Sequence, residues 1–292
     1  MVSLSKKWLL LFLSTTLFAC GSMREEIVPE QLTAQASKVV VDCFVSPQDT
    51  VLTAKVTRSR PVLDNNSSKQ VEVTDAVVTL SDGSTSVKLA YNTQLAIYSV
   101  KAQKLAIRAG GLYTLTAQTP DGNQVSATTT IPVVVPLKTL TVDSTGTASQ
   151  RNYDVVGMWQ DLSNTYYRVK GSVRGIRKSA PANATYGSPA TISFTTATNS
   201  PGMLASQSKA GNLSISASLG DGTFKNQYRS MQISMDLLHV DEAYYRYQVA
   251  LNRQLRAADN PFAEAVIIPT NIQNGLGCFG SYNQSTMTIV LK

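Results

Sequence analysis

The sequence holds a single histidine, His239, among 292 residues. A Ser-His-Asp or Cys-His nucleophile would have to be built on it, and no G-x-S-x-G elbow accompanies it. Lying just before Asp241, it reads as a structural residue. Cysteine is as scarce: there are three and no C-x-x-C pair, so a zinc site has too few nitrogen and sulfur ligands. Calcium needs only oxygen ligands, but no EF-hand spacing occurs, and Asp82-Gly83, Asp121-Gly122 and Asp221-Gly222 read as turns. No Gly-rich turn opens a helix with a following Lys and Ser/Thr, which excludes a phosphate-cradling loop. Charged residues make up only 15% and never run to five or six of one sign. Without a clustered basic patch, a nucleic-acid partner is not expected. Paired carboxylates can hydrolyse a glycoside. The second half offers Asp154, Asp161, Asp221, Asp236, Asp241, Glu242, Asp259 and Glu264, but nothing in their spacing pairs any two. No cofactor is expected, and a cell-surface hydrolase ranks last among the readings.

What the chain does have begins at its N-terminus. Lys6 and Lys7 precede an apolar run over residues 8–13, and Leu17-Phe18-Ala19-Cys20 closes the segment. A charged front, a short apolar middle and a small residue at the cut define a secretory leader. A bilayer span needs ~20 apolar residues, and this run is shorter. The cysteine after the small residue makes the leader resemble a bacterial lipoprotein signal. That resemblance implies cleavage before Cys20 and a diacylglycerol on its thiol; Phe18 is bulkier than usual there. The alternative is a plain signal peptide with a coincidental cysteine. Loss of Lys6 and Lys7 with the leader leaves 24 Lys and Arg against 19 Asp and Glu, a mild excess spread along the chain. Export also puts Cys43 and Cys278 in an oxidising compartment. They either bridge or stay as buried free thiols.

Residues 21–37 show no periodicity and read as a tether that reaches at most ~60 Å. Residues 38–132 carry a series of short alternating segments separated by turn dipeptides, as an immunoglobulin-like β-sandwich requires. The Cys…Trp…Cys core of antibody domains is absent. Pro132 and Pro136 bound a stiff connector, and the domain boundary is expected at 133–138. Residues 139–292 read as a second β-rich domain, with strands over 153–160, 166–176, 191–195, 265–269 and 285–291. A hairpin is expected from 213–219 to 228–238. One segment breaks the pattern. Tyr244, Tyr247, Leu251 and Leu255 recur at helical spacing, Asp241 stands as N-cap, and Arg253 and Arg256 close the last turn. A helix over 241–257 is expected, with that stripe buried. The fold class is thus mainly all-β, a sandwich followed by a β-rich domain with one amphipathic helix.

Four stretches resemble one family. They are residues 40–50, residues 75–83, Gly111-Leu112-Tyr113-Thr114-Leu115 with Pro120-Asp121-Gly122 and Thr130-Ile131-Pro132, and above all residues 260–282, from Asn260-Pro261-Phe262 to Cys278-Phe279-Gly280. The chain is similar to the family called domain of unknown function 4249, lipoproteins of Bacteroidetes-type bacteria. Ala265 stands where the family often has proline. The resemblance implies an accessory role beside a TonB-dependent outer-membrane receptor and supplies no catalytic residues. Cys43 and Cys278 stand where glycine and an aliphatic residue are more usual in the family.

Trp159, Tyr166 and Tyr245 are the candidate ligand or partner surface, because aromatic rings pair a large apolar area with a polar tip. Tyr167, Tyr244 and Tyr247 read as core, and Tyr166 and Tyr245 face the other way. Residues 271–280 read as a tight loop that wedges Phe279 into the fold, with a docking edge as the alternative. The leading expectation is a non-enzymatic outer-membrane protein, anchored in lipid through acylated Cys20, that partners a TonB-dependent receptor in ligand capture. The alternative is a structural or adhesive envelope protein. Glu25 and Glu26 resemble a surface-export signal after the lipidated cysteine, so the cell surface is expected, with the periplasmic face as the alternative.

Overall fold

The computed structural model describes residues 37–60, 71–146, 151–194, 196, 200–206, 211–220, 227–257, 264 and 266–292. The leader, Cys20, almost all of the tether, Asp221-Gly222, Asn260-Pro261 and Ala265 lie outside them. The chain divides into two compact units. One (1–37 and 60–69) is almost wholly outside the described residues; the other comprises 38–59 and 70–292.

Seven strands open the larger unit: β1 (Val39–Val45), β2 (Val51–Arg58), β3 (Val77–Ser81), β4 (Ser86–Asn92), β5 (Ile97–Lys101), β6 (Leu112–Gln118) and β7 (Gln124–Thr130). Their apolar residues recur every second position, so one face of each strand is buried. Val39, Val41, Cys43 and Val45 do this in β1, and Tyr113, Leu115 and Ala117 in β6. β4 changes partner along its length. Residues 86–89 pair with β3 and residues 90–92 with β5. That switch folds the sheet over itself around a single core. Two tyrosines pin the corners. The Tyr98 hydroxyl donates to Val73 O and accepts from Ala76 N–H. The Tyr113 hydroxyl donates to Ala106 O and accepts from Arg108 N–H, a tyrosine corner of the kind found in Greek-key sandwiches. Gly83 and Gly122 take φ of +89° and +85° in the expected turns at Asp82 and Asp121.

β8 (Leu137–Gly146), β9 (Arg151–Gln160) and β13 (Asn212–Gly220) form a separate three-stranded sheet. It packs on β10 (Tyr166–Arg177), β14 (Tyr228–Val240) and β15 (Leu276–Leu291). Leu140, Val155, Trp159 and Ile215 meet Tyr167, Val169, Ile233 and Leu237 in this second core. Short strands β11 (Ala190–Ile192) and β12 (Met203–Ala205) flank β10. The helix α1 (Glu242–Ala257) follows β14. No helix among the described residues is long and apolar enough to cross a membrane.

Several expectations change. β13 pairs with β9 and not with β14, so the expected hairpin is two strands in different sheets. No strand forms over 266–269, where Ile267 is 90% exposed. The last strand starts at Leu276, nine residues before its expected start, because the first half of β15 pairs with β1. Residues 276–281 run parallel to β1, and residues 282–291 run antiparallel to β14. This strand also changes the boundary at 133–138. Ile272 and Phe279 belong to the first core, while Met287, Ile289 and Leu291 pack on the second. The two cores therefore share β15 instead of forming two domains joined by a connector.

The same register decides the cysteines. Cys43 lies opposite Phe279, and Cys278 lies opposite Asp42. Paired residues share a face and their chain neighbours take the other. Cys43 thus enters the first core beside Phe279, whereas Cys278 shares the α1 side with Asp42. Both thiols are free and buried, which corrects the bridge reading. Burial pushes both well above the ordinary thiol range.

Candidate functional site

The site is built where α1 lies across β15 and β10. Asp241 sets the helix in place. Its Oδ1 accepts the Tyr244 N–H at 2.6 Å, the N-cap bond expected from the sequence. Its Oδ2 accepts the Ser281 N–H at 2.7 Å, the Ser281 hydroxyl at 2.8 Å and the Thr129 hydroxyl. One carboxylate therefore ties α1 to β15 and β7. Burial raises its pKa above the ordinary aspartate value, against the lowering effect of those hydrogen bonds.

The helix comes close because Gly280 lies beneath it. A Cβ there would stand 3.0 Å from the Tyr244 Cβ and 3.1 Å from Phe44. Tyr244 and Tyr247 are buried, as the stripe requires, with Val249 and Ala250 beside them. The Tyr247 hydroxyl donates to Asp42 at 2.7 Å, and Tyr244 accepts from Arg168 at 2.6 Å. Leu251 is only half-buried and Leu255 is 64% exposed. The buried stripe therefore ends before the last turn, which corrects the expectation for both leucines.

Tyr166 and Tyr245 meet at the edge of this seam. Their rings stack at 4.6 Å between centroids with 27° between planes, and both are half-buried. The Tyr166 hydroxyl donates to Glu242, which also pairs with Arg246 one turn along the helix. Stacking covers one face of each ring and leaves the outer face, with a carboxylate and a guanidinium beside the pair. Such a surface fits the apolar face of a sugar ring, a proline or an aromatic side chain. Trp159 is not part of it. Its ring is fully buried in the second core, edge-on to Tyr167. Alternation in β9 sends Tyr153, Val155 and Trp159 inward together, and this removes Trp159 from the candidate surface. Sequence reasoning missed Arg168 and Arg246, and it had Glu242 only as one acid of the second half, not as a neighbour of the tyrosines. The charges beside Tyr166 and Tyr245 in the chain were the available signal.

His239 is buried against Tyr167, and its Nδ1–H donates to Val133 O at 2.7 Å. Burial lowers its pKa, so the ring is a neutral strut holding the 133–138 segment. No group of three His, Cys, Asp or Glu able to hold a metal occurs among the described residues. A cavity of about 280 Å³ opens at the far end of the second core, between Val142, Tyr153, Met231 and Leu291.

Two cores sharing one long C-terminal strand, with a helix docked on that strand, define a mainly all-β protein. A family model described as Domain of unknown function (DUF4249) matches residues 24–288, and the chain belongs to that family. No curated protein matches it. Among solved structures, it is similar to a mutant alpha-2-macroglobulin from Salmonella, at 11% identity and a TM-score of 0.24. That match covers 69% of this chain, and this chain spans about 13% of the length of that one.

Proposed function

We propose that the protein is a non-enzymatic, lipid-anchored accessory protein of the outer membrane that partners a TonB-dependent receptor in ligand capture. Cys20 at the end of the leader would carry the lipid, and several acyl chains together hold a protein on a membrane where one does not. The observation that carries the capture reading is the stacked Tyr166–Tyr245 pair, half-buried and flanked by Glu242 and Arg246. The rings are set by each other and by the cap at Asp241, so little ordering entropy is lost when a ligand settles on them. Residues 21–37 would let the body stand off the bilayer by up to ~60 Å and reach a neighbouring receptor.

Intact-mass analysis of the membrane-extracted protein tests the anchor. A diacylglyceryl mass on Cys20 is expected, and Cys20→Ala should lose it. An unmodified Cys20 would overturn the anchor. Protease shaving of whole cells tests the face: digestion is expected from the acidic pair Glu25-Glu26, and full protection would put the protein on the periplasmic side.

A further inference from the structure

β13 is an edge strand of the three-stranded sheet. Its nine residues pair with β9 in one unbroken register, Asn212 with Gln160 to Gly220 with Asn152. Among the described residues no strand pairs with its other edge. Open edges attract other chains, and proteins usually blunt them with charge, proline, bulges or cover. The other long edges here follow that rule. β8 carries Lys138, Asp143 and a register shift, and β7 is met by Gln273, which exchanges two backbone hydrogen bonds with Ser126. Among the described residues β13 has none of these devices. It reads Asn-Leu-Ser-Ile-Ser-Ala-Ser-Leu-Gly, without charge, proline or bulge.

The strand is also nearly the same read backwards. About Ser216 the order is Leu213, Ser214, Ile215, then Ala217, Ser218, Leu219. An antiparallel copy centred on Ser216 would set Leu213 against Leu219, Ser214 against Ser218, Ile215 against Ala217 and Ser216 against itself. Every pair would match in polarity. Ile215 and Ala217 are buried, and Leu213 and Leu219 lie half-buried on the second core. The serines face solvent. A two-fold interface needs such self-complementarity, since one patch meets its own copy.

We propose that β13 pairs with β13 of a second copy, in antiparallel register about Ser216, to make a continuous six-stranded sheet across a two-fold dimer. Leucine would cover leucine on the inner face, and a hydroxyl ladder would form on the outer face. The nearest charge on β9, Asp154, lies opposite Ser218 and so one strand behind the seam.

Cysteine substitution in a Cys20→Ala background tests the register, because Cys43 and Cys278 are buried. Paired Cα atoms across antiparallel strands lie ~4.5–5.5 Å apart, within disulfide range. Ser216→Cys should give a disulfide-linked dimer on mild oxidation. Ser214→Cys alone should not, whereas Ser214→Cys mixed with Ser218→Cys should. Sedimentation of the uncrosslinked protein should show mass doubling with concentration, and Ser216→Lys should weaken this at least tenfold while circular dichroism stays unchanged. The proposal is overturned if Ser216→Cys crosslinks no faster than Ser84→Cys on the exposed β3–β4 turn, if Ser214→Cys crosslinks to itself equally well, or if the protein stays monomeric up to its solubility limit.

Discussion

Replacing Asp241 should loosen the α1 seam measurably, because one carboxylate joins α1 to β15 and β7. Asp241→Ala removes the N-cap of α1, which costs ~1 kcal/mol in typical helices. It also strands the Ser281 N–H, at ~1–3 kcal/mol for a buried group left unpaired, and takes a charged acceptor from two hydroxyls that keep weaker ones, Ser281 on Thr130 O and Thr129 on Ser281. Removing a buried carboxylate returns part of this, because its desolvation no longer opposes folding. A net loss of ~3 kcal/mol is expected, read as the shift in urea midpoint with the slope unchanged. Asp241→Asn keeps one acceptor oxygen and should cost about half as much. The cost should also depend on pH. Burial raises the folded pKa above the unfolded value near 3.9. Between those two values the native chain holds a proton that the unfolded chain has released. The stability from this proton is present at the acid end and lost as pH rises through the folded pKa. Asn does not titrate, so Asp241→Asn should cost more relative to wild type near pH 4 than near pH 7. The His239 contribution is common to both proteins and cancels. An Asp241→Ala protein within ~0.5 kcal/mol of wild type, or an Asn cost that does not vary with pH, would refute this reasoning.

Gly277→Ala should destabilise by more than ~2 kcal/mol, since φ is +103° there and a Cβ would lie 2.2 Å from Val41 O; thermal unfolding checks it. Thiol titration of the denatured, non-reduced Cys20→Ala protein should find both Cys43 and Cys278 reactive, and a titre of zero would restore the bridge. Leu255→Ala should change stability by less than ~0.5 kcal/mol, whereas Tyr247→Phe should lose ~1 kcal/mol through its hydrogen bond to Asp42; both are read by urea unfolding.

The parts of the fold that rest on short-range pattern were legible. A β-branched apolar run gave β1, alternation gave β2, β6 and β10, and the turns at Asp82-Gly83 and Asp121-Gly122 fell where positive φ was needed. The N-cap at Asp241 followed from a side chain that reaches the third N–H beyond it. What the sequence hid depends on partners distant in the chain. Nothing local says that β13 pairs with β9 or that β15 runs beside β1. The bridge reading failed for the same reason. Two cysteines 235 residues apart sit one register step out, and one step turns a strand side chain to the opposite face. Helical spacing marked Leu251 and Leu255 as stripe residues, but spacing does not show where the supporting strands end. Trp159 looked like a surface aromatic because β9 carries the apolar Val156 and Met158 on its outer face, which obscures the alternation.

Copurification from detergent-solubilised membranes tests the proposed function most directly. The lipidated protein should bring down a TonB-dependent receptor barrel, and a double Tyr166→Ala, Tyr245→Ala variant of unchanged stability should lose ligand or receptor. Recovery of the wild-type protein without any receptor barrel, under conditions that preserve other outer-membrane complexes, would contradict the account and favour a structural or adhesive role in the envelope.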